Sequence, residues 1–200
     1  MIVVDPIDAP CGATVRNIDL SAEITQEAVT ELRQAWLQYH VLVFPDQLLS
    51  PADLERFTLH FGNFGDDPFF NPIEGSSHIA AISRDANETT PLFAENWHTD
   101  WSFQVKPPIA TCLYGIKLPH LGGDTLFANQ HKAYDKLPCA LKNKIEHLTA
   151  IHSAESAYSP DGVYSDRHKK NTGRSMSIVV SDEARRTHNH PFIRAHTETG

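Results

Sequence analysis

The amino-acid sequence predicts an α+β fold in which helices lie outside a β-sandwich or barrel. Helical stripes bounded by capping residues occur in residues 25–62, and strand-length apolar runs dominate the second half of the chain. A hydrophobic content of 40% over 200 residues is enough for one domain with a substantial core. We therefore expect a single domain over residues 1–200.

Two helices are predicted in the first third of the chain. Apolar residues recur at helical spacing over residues 25–39, and Glu27 lies near the positive N-terminal end of that segment. In the second helix, Ser50 can cap the N-terminus and Pro51 suits the first helical position. Gly62 follows its end, as glycine commonly does.

Strands are predicted where apolar residues form short continuous or alternating runs. These runs fall at residues 41–44, 78–83, 109–118, 126–128 and 175–181. A helical pattern resumes over residues 129–148 and is expected to break at Pro138. Residues 63–95 are rich in Gly, Pro, Asn and Asp, which predicts a mostly irregular loop of the kind that often carries function.

Charge and cysteine content exclude several classes of protein. The net charge of -8, from 25 acidic and 17 basic residues, argues against binding to nucleic acid or to an anionic membrane. The basic segment 166–175 is short and lacks aromatic residues, so we expect a solvated loop. Cys11, Cys112 and Cys139 show no paired spacing, which favours free thiols in a reducing compartment. Without a signal-like segment or an apolar run of 18 residues, a soluble cytoplasmic protein is expected.

The motif "NWHTDWS" (96–102) places a histidine and an aspartate two residues apart between two tryptophans. If the motif is extended, its polar side chains line one face and its tryptophans pack on the other. The residues of the polar face are Asn96, His98, Asp100 and Ser102. Such a face could line a cavity, while the tryptophans hold the strand against the core.

His98 and Asp100 carry the ligand atoms that suit a divalent first-row metal. With a second histidine from elsewhere they would form a 2-His-1-carboxylate triad, which leaves three positions for a bidentate oxo-acid and dioxygen. The pattern alone fits equally well a surface pair, because the chain contains 12 histidines and 25 acidic residues. A zinc hydrolase is disfavoured, since no H-E-x-x-H motif occurs.

Five segments, in the same order, resemble the taurine dioxygenase (TauD/TfdA) family of Fe(II)- and 2-oxoglutarate-dependent dioxygenases. They read "CGATVRNIDL" (11–20), "HVLVFPDQLLSPADLERFTLHFG" (40–62), "NWHTDWSF" (96–103), "ATCLYGIKLPHLGGDTLFANQHKAYDKLP" (110–138) and "HPFIRAHTETG" (190–200). The resemblance implies a double-stranded β-helix, or cupin-like jelly roll, with flanking helices. It also implies that His98 and Asp100 bind iron and that the Thr125 hydroxyl donates to a carboxylate of 2-oxoglutarate. Without the resemblance, Thr125 would be interpreted as an ordinary strand threonine after a glycine turn.

The activity implied by the resemblance is oxidation of an aliphatic C–H bond in a small substrate, with 2-oxoglutarate and O2 as co-substrates. His98 and Asp100 would then be ligands, and neither would act as a general base. No residue after His98 matches the family's distal histidine ligand or its 2-oxoglutarate-binding arginine. We therefore expect a C-terminally incomplete domain whose unpaired sheet edges could promote homo-oligomers. The alternative is a natural short variant that acts as a catalytically inactive, cupin-like binding or interaction module.

Substrate binding is assigned to Asp67, Phe70 and Asn96. In the family's taurine enzymes a histidine and a tyrosine contact the sulfonate where this chain has Asp67 and Phe70, and an asparagine stands in place of Ala94. A carboxylate facing a sulfonate is unfavourable, so taurine is not the expected substrate. The sequence "DDPFF" (66–70) fits equally well a turn whose aromatic side chains lie in the core.

Overall fold

The computed structural model describes residues 1–165 and 173–200, which form two compact units. The first unit contains Met1–Phe61, Cys112–Leu148 and Phe192–Gly200, and the second contains Gly62–Thr111 and Thr149–Pro191. Most of the basic segment expected to be a solvated loop lies outside the described residues. In the part of the chain that is described, no helix is long and apolar enough to cross a membrane.

The first unit contains a three-stranded sheet of β1 (Val3–Pro6), β2 (Ala13–Arg16) and β3 (Leu42–Val43). The central strand β2 pairs antiparallel with β1 and parallel with β3. Gly12, with a φ of 113°, precedes β2 and donates its backbone N–H to the Tyr39 carbonyl at 2.8 Å. A left-handed φ of this kind suits glycine, which has no Cβ to clash. The strand predicted over residues 41–44 is confirmed, but it is shorter and less buried than expected.

The two N-terminal helices are confirmed, as α1 (Gln26–Tyr39) and α2 (Pro51–Leu59). The hydroxyl of Thr25 accepts a hydrogen bond from the first turn of α1 and caps it. At α2, the Ser50 hydroxyl accepts from the Asp53 N–H, and the Asp53 carboxylate accepts from the Ser50 N–H. This reciprocal capping box satisfies backbone donors that a helix start leaves without partners.

Side chains from both helices and the sheet form the core of the first unit. Its buried members are Val15, Leu20, Leu32 and Phe57. The Phe57 ring lies edge-on to those of Phe44 and Phe61, with centroids 5.3 and 5.4 Å apart. The apolar stripe of α1 therefore packs where its spacing predicts.

The later part of the first unit contains two short helices, α3 (Gln130–Asp135) and α4 (Cys139–Ile145), and the predicted break at Pro138 is confirmed. The strands predicted over residues 109–118 and 126–128 are wrong, because both segments are irregular. Several of their apolar side chains are exposed. The alternating pattern suits a strand, but no other described segment forms a ladder with it.

The second unit contains an antiparallel pair of strands, β4 (Thr149–Ser153) and β5 (Thr187–Pro191), which the sequence did not predict. Alternate residues on the two strands are partly buried. His152 lies opposite His188 on this face, and the next partly buried pair is Ala150 and His190.

Aromatic side chains form the core of the second unit. The buried members of this cluster are Phe69, Phe70, Ala154, Tyr158, Met176 and Ala184. Tyr158 ends the short helix α5 (Glu155–Tyr158), and its ring stacks on that of Phe69 with centroids 4.4 Å apart. Arg185, at the end of a 3-10 helix (Asp182–Arg185), forms ion pairs with Glu155, Asp161 and Asp182.

The strands predicted over residues 78–83 and 175–181 are also wrong. The first segment makes a single β-bridge, between Pro72 and Ala80. In the second, the Val179 N–H donates to the Phe69 carbonyl at 2.8 Å, but no ladder continues from this bond. Both segments pack near the aromatic core because they are apolar. A strand also needs a neighbouring strand with which to form a hydrogen-bonded ladder, and the apolar pattern does not specify one.

Candidate functional site

No strand forms in residues 96–102: residues 97–99 are irregular and a turn begins at residue 100, so the condition of an extended motif is not met over its full length. The Ser102 N–H donates to the Thr99 carbonyl at 3.4 Å and the Gln104 N–H to the Trp101 carbonyl at 2.9 Å. Trp101 has a φ of 49°, a left-handed conformation that is uncommon for a bulky residue. The chain reverses here, and yet the two ionisable side chains of the motif still meet.

His98 and Asp100 lie in direct contact, with His98 Nε2 3.0 Å from Asp100 Oδ1. The other ring nitrogen, Nδ1, lies 2.7 Å from the Asn96 carbonyl oxygen. A carbonyl can only accept a hydrogen bond, so Nδ1 carries the proton and neutral His98 has a lone pair on Nε2. That lone pair faces a carboxylate oxygen, an arrangement that a proton or a shared cation stabilises.

The second oxygen of the Asp100 carboxylate also has a partner. Thr111 Oγ1 donates to Asp100 Oδ2 at 2.7 Å. Sequence reasoning missed this contact, because Thr111 lies eleven residues further along the chain in a segment predicted to be a strand. No local pattern indicates that its hydroxyl reaches the carboxylate.

Two histidines of β4 and β5 hold the turn that follows Asp100. His152 Nδ1 lies 3.1 Å from the Ser102 hydroxyl, and His190 Nε2 donates to the Gln104 carbonyl at 2.9 Å. The Gln104 side-chain amide in turn donates to the Asp66 carbonyl at 2.7 Å. The β4 and β5 pair therefore supports the site from outside it, a role that the sequence did not indicate for either histidine.

The two tryptophans of the motif have different environments. Trp101 is partly buried against the aromatic core, with ring centroids 5.4 Å from Phe103 and 6.2 Å from Phe70. Trp97 is 70% exposed. The prediction that tryptophans anchor the motif is therefore confirmed for Trp101 and wrong for Trp97.

Of the residues assigned to substrate binding, Asp67 and Phe70 take part in a turn that leads into the core. Asp67 Oδ1 accepts hydrogen bonds from the backbone N–H groups of Phe69 and Phe70, at 3.1 and 3.2 Å. Desolvation raises the pKa of the Asp67 carboxyl, and these two hydrogen bonds oppose the rise. Phe70 is buried among aromatic rings. These contacts match the turn interpretation of "DDPFF", and the assignment to substrate binding stays a prediction.

Asn96 contributes its backbone to the site, because its carbonyl accepts from His98 Nδ1. Tyr158 lies in the neighbouring core, where burial, and to a lesser extent Tyr164, Asp67 and Asp100, raise the pKa of its hydroxyl above the ordinary value. The Tyr158 hydroxyl therefore stays protonated at neutral pH.

Thr125 belongs to the first unit, whereas His98 and Asp100 belong to the second. It is exposed and follows Gly122 and Gly123, which were predicted to form a turn; both have left-handed φ angles, of 78° and 76°, and the chain bends just before them at residues 120–121. The strand expected after that turn is absent. The proposed hydrogen bond from Thr125 to 2-oxoglutarate stays a prediction.

The donor atoms of the site are an imidazole nitrogen and a carboxylate oxygen, which are atom types that bind divalent first-row metals. Within residues 1–165 and 173–200, no group of three or more His, Cys, Asp or Glu side chains is placed to hold a metal. Both side chains are about half exposed, at 49% for His98 and 50% for Asp100, so the pair remains open to solvent. The described residues thus bring together two candidate ligand atoms that are accessible to solvent.

Comparison with known proteins identifies relatives along nearly the whole chain. The family model described as "Taurine catabolism dioxygenase TauD, TfdA family" matches residues 4–200. An alkylsulfatase of Acinetobacter baylyi is 32% identical over 190 residues, which cover 94% of this chain and 57% of the relative. An alpha-ketoglutarate-dependent sulfate ester dioxygenase of Pseudomonas putida is 28% identical over 98% of this chain and 63% of the relative.

The fold is also similar to that of a solved enzyme. The crystal structure of a taurine dioxygenase from Burkholderia xenovorans matches with a TM-score of 0.70 and 25% identity. The match covers 100% of this chain and 60% of the solved chain. The chain therefore has the fold of taurine dioxygenase-like proteins and spans about 60% of the length of these relatives.

Proposed function

This chain belongs to the taurine catabolism dioxygenase (TauD/TfdA) family, and we propose on that basis that the protein is an Fe(II)- and 2-oxoglutarate-dependent dioxygenase. It hydroxylates an aliphatic C–H bond of a small organic substrate, with 2-oxoglutarate and O2 as co-substrates. The observation that carries the proposal is the 3.0 Å approach of His98 Nε2 to Asp100 Oδ1. An imidazole nitrogen and a carboxylate oxygen, both of which can bind iron, thus lie together at the two positions where the family resemblance implies iron ligands.

His98 and Asp100 would hold the iron through Nε2 and Oδ1. Bound iron with 2-oxoglutarate supplies the activation of dioxygen, which no protein side chain can perform. The chain's own residues orient the ligands: the Asn96 carbonyl fixes the His98 tautomer, and Trp101 packs the turn on the aromatic core. With its Nε2 lone pair on the metal, His98 cannot also accept a proton there. Thr125 would donate its hydroxyl proton to a carboxylate of 2-oxoglutarate.

The finer description of the fold is part of the same proposal. We expect a double-stranded β-helix core, as the similarity to a solved taurine dioxygenase supports. A single dioxygenase domain over residues 1–200 also stays a prediction.

For the substrate, the relatives suggest a first set of compounds. One relative is named for sulfate esters and another is named an alkylsulfatase. Short alkyl sulfate esters are therefore the compounds to assay first. Taurine serves as the comparison. If the Asp67 carboxylate lines the substrate pocket, it would repel a sulfate ester as well as a sulfonate, and we would then expect turnover of neither compound.

A second candidate function is a catalytically inactive, cupin-like binding module. It is favoured by one observation, the absence of a three-ligand group among the described residues. Two ligands bind a metal more weakly than three, because affinity depends on ligand number and preformed geometry. Such a module would bind a small ligand without consuming 2-oxoglutarate.

An anaerobic titration of the protein with Fe(II) in the presence of 2-oxoglutarate distinguishes the two functions. We expect a visible charge-transfer band that is lost in His98→Ala and retained in the control His147→Ala. His147 is an exposed histidine between α4 and β4. On admission of oxygen and substrate, 2-oxoglutarate should be converted to succinate.

The enzyme proposal fails if a folded protein shows neither the band nor succinate. It also fails if His98→Ala retains the full band, because iron would then bind elsewhere. Binding of an organic ligand without turnover of 2-oxoglutarate would support the inactive module.

A further inference from the structure

We propose that Thr111 is a positioning residue that orients the Asp100 carboxylate for metal binding. The proposal rests on the proposed function of the His98 and Asp100 pair. Thr111 Oγ1 donates to Asp100 Oδ2 at 2.7 Å, while Oδ1 of the same carboxylate faces His98 Nε2 at 3.0 Å. The two carboxylate oxygens therefore have different partners.

This division of partners determines how Asp100 can bind a metal. A carboxylate rotates easily about its terminal bond, because that torsion has broad preferences. A hydrogen bond from a hydroxyl to an ionised oxygen is charge-assisted and stronger than one between neutral groups. With Oδ2 held by Thr111, Oδ1 is the oxygen left to point toward His98. The carboxylate is then set to bind through one oxygen before the metal arrives.

The backbone near Thr111 is itself held in place. A Cβ at Gly62 would lie 3.1 Å from Ile109 Cδ1, and one at Gly65 would lie 3.5 Å from Pro108 Cβ. The absence of a side chain at Gly62 thus lets its loop pack closely against Ile109, whereas the contact at Gly65 is an ordinary van der Waals distance. Proline also fixes φ at this point in the chain, and the β-branched threonine side chain has few rotamers. The hydroxyl therefore has a defined position.

Loss of the Thr111 hydroxyl would free the carboxylate to rotate. Oδ1 would then no longer be held toward His98, and the metal would lose a preformed pair of ligand atoms. Partners of metal ligands typically contribute about 10- to 100-fold to metal affinity.

The test measures Mn(II) affinity by the loss of the free-ion electron paramagnetic resonance signal. We expect Thr111→Val, which keeps the branched shape, to weaken binding about 10- to 100-fold. Thr111→Ser keeps the hydroxyl and should bind within a few-fold of the wild type. The control is Thr30→Val, because the Thr30 hydroxyl donates at a similar 2.8 Å to the Gln26 carbonyl on α1. Metal-free thermal unfolding of each variant shows whether it is folded.

The outcomes separate this inference from the proposed function. If Thr111→Val binds Mn(II) like the wild type while His98→Ala does not, the positioning role is wrong and the metal site stands. If the wild type binds no Mn(II), both proposals fail. If Thr111→Val does not fold, the Mn(II) affinities of Thr111→Ala and Thr111→Ser are compared instead. Weaker binding in Thr111→Ala supports the role of the hydroxyl, and equal affinities overturn it.

Discussion

His98 Nε2 lies 3.0 Å from Asp100 Oδ1, although the hydrogen bond from His98 Nδ1 to the Asn96 carbonyl leaves a neutral imidazole without a proton on Nε2. Two lone pairs at this distance repel each other unless a positive charge lies between them. We propose that a metal ion held by both atoms would supply that charge.

Asp100→Asn tests this relationship. The asparagine can donate its amide N–H to His98 Nε2 and accept from Thr111 through its oxygen, so the metal-free fold should be at least as stable as the wild type. Removal of the anionic ligand should lower Mn(II) affinity by more than about 100-fold. Metal titration and thermal unfolding check the two effects separately, with Asp135→Asn on α3 as the control. Retained affinity in Asp100→Asn would exclude Asp100 as a ligand.

His190→Phe tests the support that β5 provides to the turn. The substitution keeps an aromatic ring but loses the hydrogen bond to the Gln104 carbonyl, with an expected cost of about 1 kcal/mol. The loosened turn should also lower Mn(II) affinity several-fold. The control is Asn189→Ala, which changes the exposed face of the same strand. Unchanged metal affinity in a destabilised His190→Phe would show that His190 supports the fold alone.

Glu88 predicts a dependence of stability on pH. Its side chain is 2% exposed, and hydrogen bonds from Ser175 and Thr90 lower the pKa of its carboxyl from 4.5 to about 2. A lowered pKa means that the ionised carboxylate stabilises the folded state above pH 4.5, and that this stabilisation is lost as the pH falls toward 2. The stability difference between the wild type and Glu88→Gln should therefore be largest near neutral pH and shrink below pH 4.5.

Urea unfolding at several pH values measures this difference. Glu23→Gln is the control, because the Glu23 side chain is 82% exposed and should show little change. A difference that stays constant between neutral pH and pH 3 would refute the role of the Glu88 charge.

Phe69→Ala tests the aromatic core behind the site. Phe69 is 2% exposed and stacks on Tyr158, so the cavity should cost about 3 to 5 kcal/mol in the free energy of unfolding. Phe192→Ala removes a ring that is 54% exposed and should change stability by only about 0.5 kcal/mol. Chemical denaturation of both variants makes the comparison, and equal losses would contradict the assignment of Phe69 to the core.

The helices α1 and α2 could be predicted because their determinants are local. The Thr25 cap, the Ser50 and Asp53 capping box and the apolar stripes all lie within a few residues of the backbone groups they serve. Strands were predicted less well, since a ladder needs a partner from elsewhere in the chain. Residues 109–118 have an alternating pattern but form no ladder with any other segment that the structure describes. Strands β4 and β5, which the pattern did not predict, pair with each other.

The sequence by itself determined the family, the capped helices and the pairing of His98 with Asp100, because residues two apart remain neighbours in a turn as well as in a strand. Only the tertiary structure decided what surrounds that pair. The Thr111 hydroxyl reaches Asp100 across 11 residues, and the His190 ring reaches Gln104 across 86. Contacts at such separations depend on how the chain folds back on itself, which no local pattern of residues encodes.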